Sequence, residues 1–331
     1  MNETRETVLE VRNLKKHFPI SRGFLAFDRG VVKAVDDISF TIGKSEIFGL
    51  VGESGCGKST AGRTILNLLP PTAGSVRFED TVIFDVENRQ KLKTDEMRAM
   101  RRNMQIIFQD PFASLDPRKS VGYIVSEGIK KHKLCKPREA IDKAKYFLEL
   151  CGLPASSVNK YPHEFSGGQR QRIGIARSLS IDPKFIIGDE PLAALDVSIQ
   201  VQILTLLQKL IEDLHLTTLF ISHDLGVIQF FCDRIAVMYL GAFVEMGTNE
   251  SIFKNQLHPY TKALFSAVPK SMPGQKKEQI ILQGEIPSAA NPPPGCRFHT
   301  RCPFVMPRCN EARPELKEVE TDYYVACHLY D

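Results

Sequence analysis

The sequence predicts an α/β fold with a wound core, and three observations point there. Short apolar runs of strand length alternate along the chain with longer segments whose apolar residues recur at helical spacing. A complete G-x-x-x-x-G-K-[ST] string, Gly52-Glu53-Ser54-Gly55-Cys56-Gly57-Lys58-Ser59, stands between one such strand and one such helix. Further on, the buried-strand run Phe185-Ile186-Ile187-Gly188 leads straight into the adjacent carboxylates Asp189 and Glu190.

Bulk properties narrow the possibilities. The chain has 331 residues, enough for one large domain with an appendage or for two domains. Its 43% apolar and 25% charged content is that of an ordinary globular protein. A net charge of +4 at this length gives no argument for nucleic acid. No uncharged apolar run approaches the length of a bilayer-spanning helix. Met1-Asn2-Glu3-Thr4-Arg5-Glu6-Thr7 is polar and has no signal-peptide core, so the expected compartment is the cytosol, where the eight cysteines are expected as thiols.

Taken in order, Val8–Val11 and Ile38–Ile42 have strand patterns, with a loop expected from Phe18 to Gly30 between them. Glu46–Val51 is the strand before the phosphate loop, and Thr60–Leu69 a helix ended by Pro70-Pro71. Gly74–Phe78 is a strand, residues 85–102 a charged loop and short helix, and Asn103–Phe108 a buried strand closed by Gln109-Asp110-Pro111. Residues 112–165 have a helical pattern, with Ala140, Ile141, Ala144, Phe147, Leu148 and Cys151 on one side. A helix follows from Ser166 to Leu179. Ile203, Leu204, Leu207, Leu210, Ile211 and Leu214 then mark a long amphipathic helix, and Leu219–Ser222 and Ile235–Tyr239 two more strands. Beyond about Glu250, Pro259, Pro269, Pro273, Pro287 and Pro292-Pro293-Pro294 are expected to keep regular elements short. The resulting division is a core of 1–111 and 166–250, a helical subdomain of 112–165 and an irregular extension of 251–331.

The phosphate loop makes an anion site. Its glycines let successive N–H groups point inward, the helix start favours negative charge, Lys58 can reach β- and γ-phosphates, and the Ser59 hydroxyl can hold Mg²⁺. Gly52, Ser54, Gly55, Cys56, Gly57 and Thr60 complete the expected nucleotide contacts. Asp189, at the tip of a buried strand, is placed to bind Mg²⁺, and Glu190 beside it to act as general base toward the attacking water.

With these residues in view, the chain resembles the ATP-binding-cassette ATPases. Phe165-Ser166-Gly167-Gly168-Gln169-Arg170-Gln171-Arg172 is similar to that family's signature motif; Gln109 resembles its Q-loop glutamine, Ala194-Leu195-Asp196 its D-loop, Ser222-His223-Asp224 its switch histidine and Phe18 its adenine-stacking aromatic. The resemblance implies a P-loop NTPase with a RecA-like core and an antiparallel β subdomain. It implies that Ser166, Gly168, Gln169 and Asp196 meet nucleotide held by a second subunit, that His223 contacts the γ-phosphate, and that Gln109 senses Mg²⁺ and water. ATP then holds two cassettes together and hydrolysis releases them.

Within the family, Gln109–Pro117, Tyr161–Arg172 and His258-Pro259-Tyr260-Thr261 look like the oligopeptide/dipeptide/nickel importer ATPases. That likeness implies a peripheral subunit on the cytoplasmic face of the membrane, partnered by a second homo- or heteromeric ATPase subunit, two permeases and, indirectly, a peptide-binding protein. Three positions depart from the pattern: Ala193 replaces the usual D-loop serine, Gly188 an alanine and Ser45 a glycine. A nickel importer ATPase, a soluble cassette ATPase acting on DNA or ribosomes, and a redox-sensing ATPase are the alternatives. The absence of a basic stripe weighs against the second.

Cys296, Cys302, Cys309 and Cys327 follow a C-x₅-C-x₆-C-x₁₇-C spacing in a segment poor in apolar residues. Four thiolates there suggest a metal staple, Zn²⁺ or an iron–sulfur cluster; the resemblance favours [4Fe-4S]. His299 and His328 are expected at the surface. Cys56, Cys135, Cys151 and Cys232 are expected to serve packing.

Overall fold

The computed structural model describes residues 6–20, 30–267 and 280–331. Part of the loop expected before Gly30, and Pro269 and Pro273, lie outside the described residues. The chain forms two compact units.

One unit comprises Thr7–Ile42, Ile47–Lys91 and Ser222–Asp331. It contains a five-stranded sheet ordered Val31–Gly43, Thr7–Pro19, Ala73–Phe78, Thr81–Asp85 and Gln90–Lys91. Thr7–Pro19 pairs antiparallel with Ala73–Phe78, placing Leu9 opposite Phe78 and Val11 opposite Val76, all buried. The first strand is thus much longer than its apolar start suggests. It runs through the charged Lys15-Lys16-His17 and includes Phe18, which corrects the expectation that Phe18 lies in a loop. The same unit holds a second group of strands, in which Arg234–Tyr239 runs parallel to Ile47–Val51 and antiparallel to Ala242–Thr248. Continuous burial of Phe48–Val51 and Ile235–Tyr239 gives the pattern expected of strands covered on both faces.

The helix after the phosphate loop spans Lys58–Ile65 and ends a turn earlier than Pro70-Pro71 suggests. Asn67 takes a left-handed conformation (φ 50°), and the N–H groups of Asn67 and Leu68 bond back to Thr64 O and Arg63 O at 2.9 Å each. This double closure satisfies the last carbonyls before the prolines are reached.

The C-terminal extension is built onto this unit. Tyr323–Val325 pairs antiparallel with Ala242–Thr248, and Lys317–Glu320 pairs with Tyr323–Val325. Buried Glu245 ties the joint: its carboxylate accepts the N–H groups of Leu257 and His258, each at 2.8 Å, and the Tyr323 hydroxyl. Burial raises its pKa against the pull of these donors. Pro259, expected to interrupt regular structure, instead opens the helix Pro259–Ser266, because a proline in the first turn loses no intrahelical hydrogen bond.

The other unit is built from Gly43–Glu46 and Leu92–Ile221. Met104–Ile107, Phe185–Asp189 and Thr217–Ile221 form parallel ladders in that order. Helices Val121–Lys131, Glu139–Leu150 and Gly167–Leu179 pack on one another, with Ala140, Ala144, Phe147 and Leu148 buried as their spacing predicts. Val197–Leu214 is the long amphipathic helix, with Ile203, Leu204, Leu207, Leu210 and Ile211 buried. Ser45 has φ 56°, so serine occupies a left-handed turn that glycine would fill without strain; its N–H bonds Thr217 Oγ1 at 3.0 Å and its hydroxyl bonds His215 O at 3.2 Å. Among the described residues no helix is long and apolar enough to cross a membrane.

His258 caps the helix Pro259–Ser266: its Nδ1 accepts the Tyr260 N–H at 3.1 Å. Burial, and then the charge of Lys262, push its pKa down to about 3 from the ordinary 6.5. Its contribution to stability is therefore complete above about pH 6.5 and is lost progressively as pH falls toward 3, because the unfolded chain takes the proton first. Between pH 7 and 5 this costs on the order of 2 kcal/mol. In His258→Asn, whose cap does not titrate, thermal melts should show a shallower fall of Tm over that range than in the wild type.

Candidate phosphate site and signature helix

In the first unit, the strand Ile47–Val51 delivers the chain into residues 52–59, and helix Lys58–Ile65 begins within the loop. Gly57 is the residue before the helix, at φ 112°; a Cβ there would stand 2.0 Å from Ala34 O. Only glycine fits that combination of conformation and contact. The Lys58 side chain is buried and curls over the loop, its Nζ donating to Gly52 O at 2.8 Å and Glu53 O at 3.1 Å. This holds an ammonium at the mouth of a helix whose first N–H groups favour anions. Cys56 is buried beside it, and burial raises its thiol pKa although Lys58 opposes the shift, so Cys56 stands there as a protonated, packed side chain. Ser54 and Gly55 are exposed at the loop's tip, while Ser59 and Thr60 are half-buried in the first helical turn.

His223 belongs to the same unit and is exposed just past Ile221. Its turn is fixed on both sides: Asp224 N donates to Ser222 Oγ at 3.0 Å, and Asp224 Oδ1 caps the next helix by accepting from Gly226 N at 2.8 Å. Phe18 is half-buried on its strand, with the Lys16 ammonium 4.6 Å from its ring centroid.

In the second unit, Phe185–Asp189 is buried throughout and Asp189 is 1% exposed. Glu190 follows at φ 47°, a costly conformation for a non-glycine residue, while its N–H continues the ladder to Ile221 O at 3.0 Å. The kink turns the Glu190 side chain to meet Gln109, whose Nε2 donates to Glu190 Oε2 at 3.1 Å. Gln109 and Glu190, 81 residues apart in the chain, are thus in direct contact.

The signature segment forms a capped helix start. Ser166 Oγ accepts from Gln169 N at 3.4 Å, and Gln169 Oε1 accepts from Ser166 N at 3.0 Å. This reciprocal box occupies the Gln169 side chain. Gly168 is set by packing, since a Cβ would lie 2.5 Å from Ile199 Cγ2. Asp196 likewise caps its own helix, accepting from Ile199 N at 3.0 Å and Ser198 Oγ at 2.7 Å; these bonds, the Ser198 one foremost, lower its pKa. Ala193 is exposed. At Gly188 an added Cβ would meet Phe220 at 3.2 Å and Pro191 at 3.3 Å, a tight fit requiring only a small shift.

The four C-terminal cysteines share one neighbourhood. Cys296 N donates to Cys309 O at 2.8 Å. Burial pushes the Cys296 thiol up to about 11, and the charges of Cys309, Cys327 and Cys302 add to the rise. Burial likewise raises Cys302 and Cys327. Among the described residues, however, no three His, Cys, Asp or Glu side chains are arranged to hold a metal ion. Neither histidine is a plain surface residue. His328 is buried, bonded through Nδ1 to Asp331 at 2.6 Å and through Nε2 to Ala312 O at 2.9 Å, which corrects its expected placement. His299 is half-buried, with Nδ1 2.8 Å from Cys296 O.

Two residues outside the expected nucleotide site touch the phosphate loop. Tyr260 Oη accepts the Glu53 N–H at 2.9 Å, and Arg301 pairs with the Glu53 carboxylate. Tyr260 lies within the His258–Thr261 motif, which is the signal that could have found it; nothing in the pattern around Arg301 marks it.

Comparison with known proteins bears on this geometry. A family model described as ABC transporter matches residues 35–193, and one described as oligopeptide/dipeptide transporter, C-terminal region, matches residues 244–309. The chain is 50% identical over 328 residues to the oligopeptide transport ATP-binding protein AppF of Bacillus subtilis, covering 98% of each chain. It is 47% identical over 324 residues to a putative peptide import ATP-binding protein of Brucella ovis, covering 98% of each chain. Among solved structures, the ATP-binding cassette MJ0796 in a dimeric, post-hydrolysis state with ADP and Pi has a TM-score of 0.62 and 27% identity, over 73% of this chain and 98% of that one. CbiO1 of Clostridium perfringens, part of the ABC transporter complex cbiONQ, has a TM-score of 0.62 and 26% identity, over 76% and 92%.

Replacing Gly57 by Ala should lower Tm by several degrees or leave the protein insoluble, since the new methyl group meets backbone rather than a movable side chain. Thermal denaturation of the variant beside the wild type measures this.

Proposed function

The chain belongs to the ATP-binding proteins of the ABC transporter family, in their oligopeptide/dipeptide branch, and from that premise we propose that it is the ATP-hydrolysing subunit of a peptide importer. The observation that bears most weight is the Gln109–Glu190 contact at the end of a buried strand, in a chain that also holds a complete phosphate loop.

Lys58, with Gly52, Ser54, Gly55, Cys56, Gly57, Ser59 and Thr60 of the loop and the helix start, binds the β- and γ-phosphates, and Phe18 stacks on the adenine. Ser59, Gln109 and Asp189 offer only oxygen donors, the chemistry that suits Mg²⁺, which when bound neutralises phosphate charge. Glu190 takes a proton from the attacking water, Gln109 orients that water through its contact with the carboxylate, and His223 steadies the γ-phosphate. Ser166, Gly168, Gln169 and Asp196 serve the nucleotide of a second ATPase subunit. Because the Gln169 and Asp196 side chains are engaged in helix caps, they act there by shaping the helix starts and Ser166 and Gly168 offer the contact.

The functional division is a core of 1–111 and 166–250, a helical arm of 112–165 that meets the permeases, and the extension from 251. Two permeases and a peptide-binding protein complete the importer, with this chain peripheral on the cytoplasmic face. Cys296, Cys302, Cys309 and Cys327 hold a [4Fe-4S] cluster in preference to zinc. What supports this reading is the chemistry of the donors, four thiols on one short segment being the ligand set an iron–sulfur cluster takes; the described residues are not themselves arranged as a metal site.

Glu190→Gln should reduce steady-state ATP hydrolysis by at least about a hundredfold while retaining ATP binding and prolonging an ATP-dependent dimer. Turnover assays with size-exclusion light scattering test this, and an unimpaired rate removes Glu190 from its role. Peptide uptake by vesicles containing the permeases tests the transport assignment. Anaerobically purified protein should contain iron and sulfide with broad visible absorption that Cys302→Ser abolishes; stoichiometric zinc overturns the cluster.

A further inference from the structure

The phosphate loop carries an acidic residue for which the hydrolysis chemistry has no use. Glu53 directly follows Gly52, and a free carboxylate there repels the phosphates the loop must receive. The structure ties that carboxylate down. Arg301 grips it with both ends of its guanidinium, NH1 to Oε2 at 3.1 Å and NH2 to Oε1 at 3.3 Å. Such a two-point pairing fixes orientation as well as charge. The Arg301 side chain is 8% exposed and that of Glu53 25%, so the pair is shielded from water and salt far better than a surface contact. Arg301 Nε is buried without a hydrogen-bond partner among the described residues, a cost the fold accepts to keep the guanidinium in place.

The main chain of Glu53 is held by the same part of the sequence, through its N–H to Tyr260 Oη. Tyr260 packs in a buried trio with Tyr239 at 4.7 Å and Phe298 at 5.5 Å between ring centroids, so its hydroxyl has little freedom. The turn carrying Arg301 is pegged a second time, by Arg297, which bridges the Asp36 carboxylate and the Leu240 carbonyl.

We propose that Arg301 is a positioning residue for ATP: it holds the Glu53 carboxylate out of the phosphate cradle, making the C-terminal segment part of the nucleotide site. The proposal rests on the assignment of the chain as an ATPase. It explains why an acidic side chain is tolerated in the loop. It also means that a disturbance of the turn between Cys296 and Cys302 reaches the phosphates through one ion pair.

The test is equilibrium binding of a fluorescent, non-hydrolysable ATP analogue with Mg²⁺ to the full-length chain, alongside kcat and KM for ATP. Wild-type protein that binds no nucleotide overturns the ATPase assignment itself and this proposal with it. Where wild type binds, Arg301→Gln should weaken the affinity about tenfold and raise KM more than it lowers kcat. Adding Glu53→Gln should restore affinity to within about twofold, because the repelling charge is gone. An Arg301→Gln variant that binds like wild type, or a double variant no tighter than the single, overturns the proposal. Should Arg301→Gln fail to fold, Glu53→Gln alone decides. Binding at least as tight as wild type supports charge control, and weakened binding shows the pair to be merely structural.

Discussion

The phosphate loop keeps its observed shape because two neighbouring strands leave no room for a side chain at Gly52 or Gly57. A Cβ at Gly52 would stand 2.2 Å from Met238 O, and one at Gly57 2.0 Å from Ala34 O. The loop is wedged between the backbones of Val31–Gly43 and Arg234–Tyr239, and the hydrogen bond from Gly241 N to Cys56 O at 2.8 Å closes it from the same side. Its curl, and with it the direction of the first N–H groups of the helix, is set by packing at Gly52 and Gly57 together with the left-handed backbone of Gly55. The strands that confine it come from residues on either side of the loop in sequence, so the site is only as well formed as the sheets around it.

How much of this was legible follows from the range of each interaction. The strand, loop and helix around Lys58 are local, and composition alone places them. The cap at Ser166 is equally local, a serine followed three residues later by a glutamine. Phe18 escapes a local reading because the charged Lys15-Lys16-His17 masks a strand whose earlier part, from Leu9 to Lys15, pairs with Ala73–Phe78 some sixty residues away, a contact no local pattern reports. The helix after the loop is shorter than its pattern suggests because Leu66, Leu68 and Leu69 continue an apolar run, whereas Asn67 in the left-handed region ends it. The left-handed Glu190 was also invisible, since its strain is supported by the Ile221 ladder and by the Gln109 contact.

Several residues that motif spacing would assign to ligand contact have first a duty to their own helix. Gln169 and Asp196 spend their side chains on capping, and Gly168 is small because Ile199 presses on it. A substitution there alters where a helix begins, and hence where its N–H groups point, before it alters any direct contact. The same holds for His258-Pro259-Tyr260-Thr261, where histidine caps, proline starts the helix and tyrosine reaches the phosphate loop.

This changes the standing of the C-terminal extension. Its composition suggests a segment too poor in apolar residues to fold alone, and it does not stand alone: it adds a strand to Ala242–Thr248, closes on buried Glu245, and sends Arg301 to Glu53 over a separation of 248 residues. The entropy of closing so long a loop grows only logarithmically with its length, so the contact is affordable once the intervening sheets have formed. The contact needs both partners in place, the loop that carries Glu53 and the turn that carries Arg301. A phosphate loop whose charge is balanced only at that point has its full affinity for nucleotide only when the end of the chain is folded onto it.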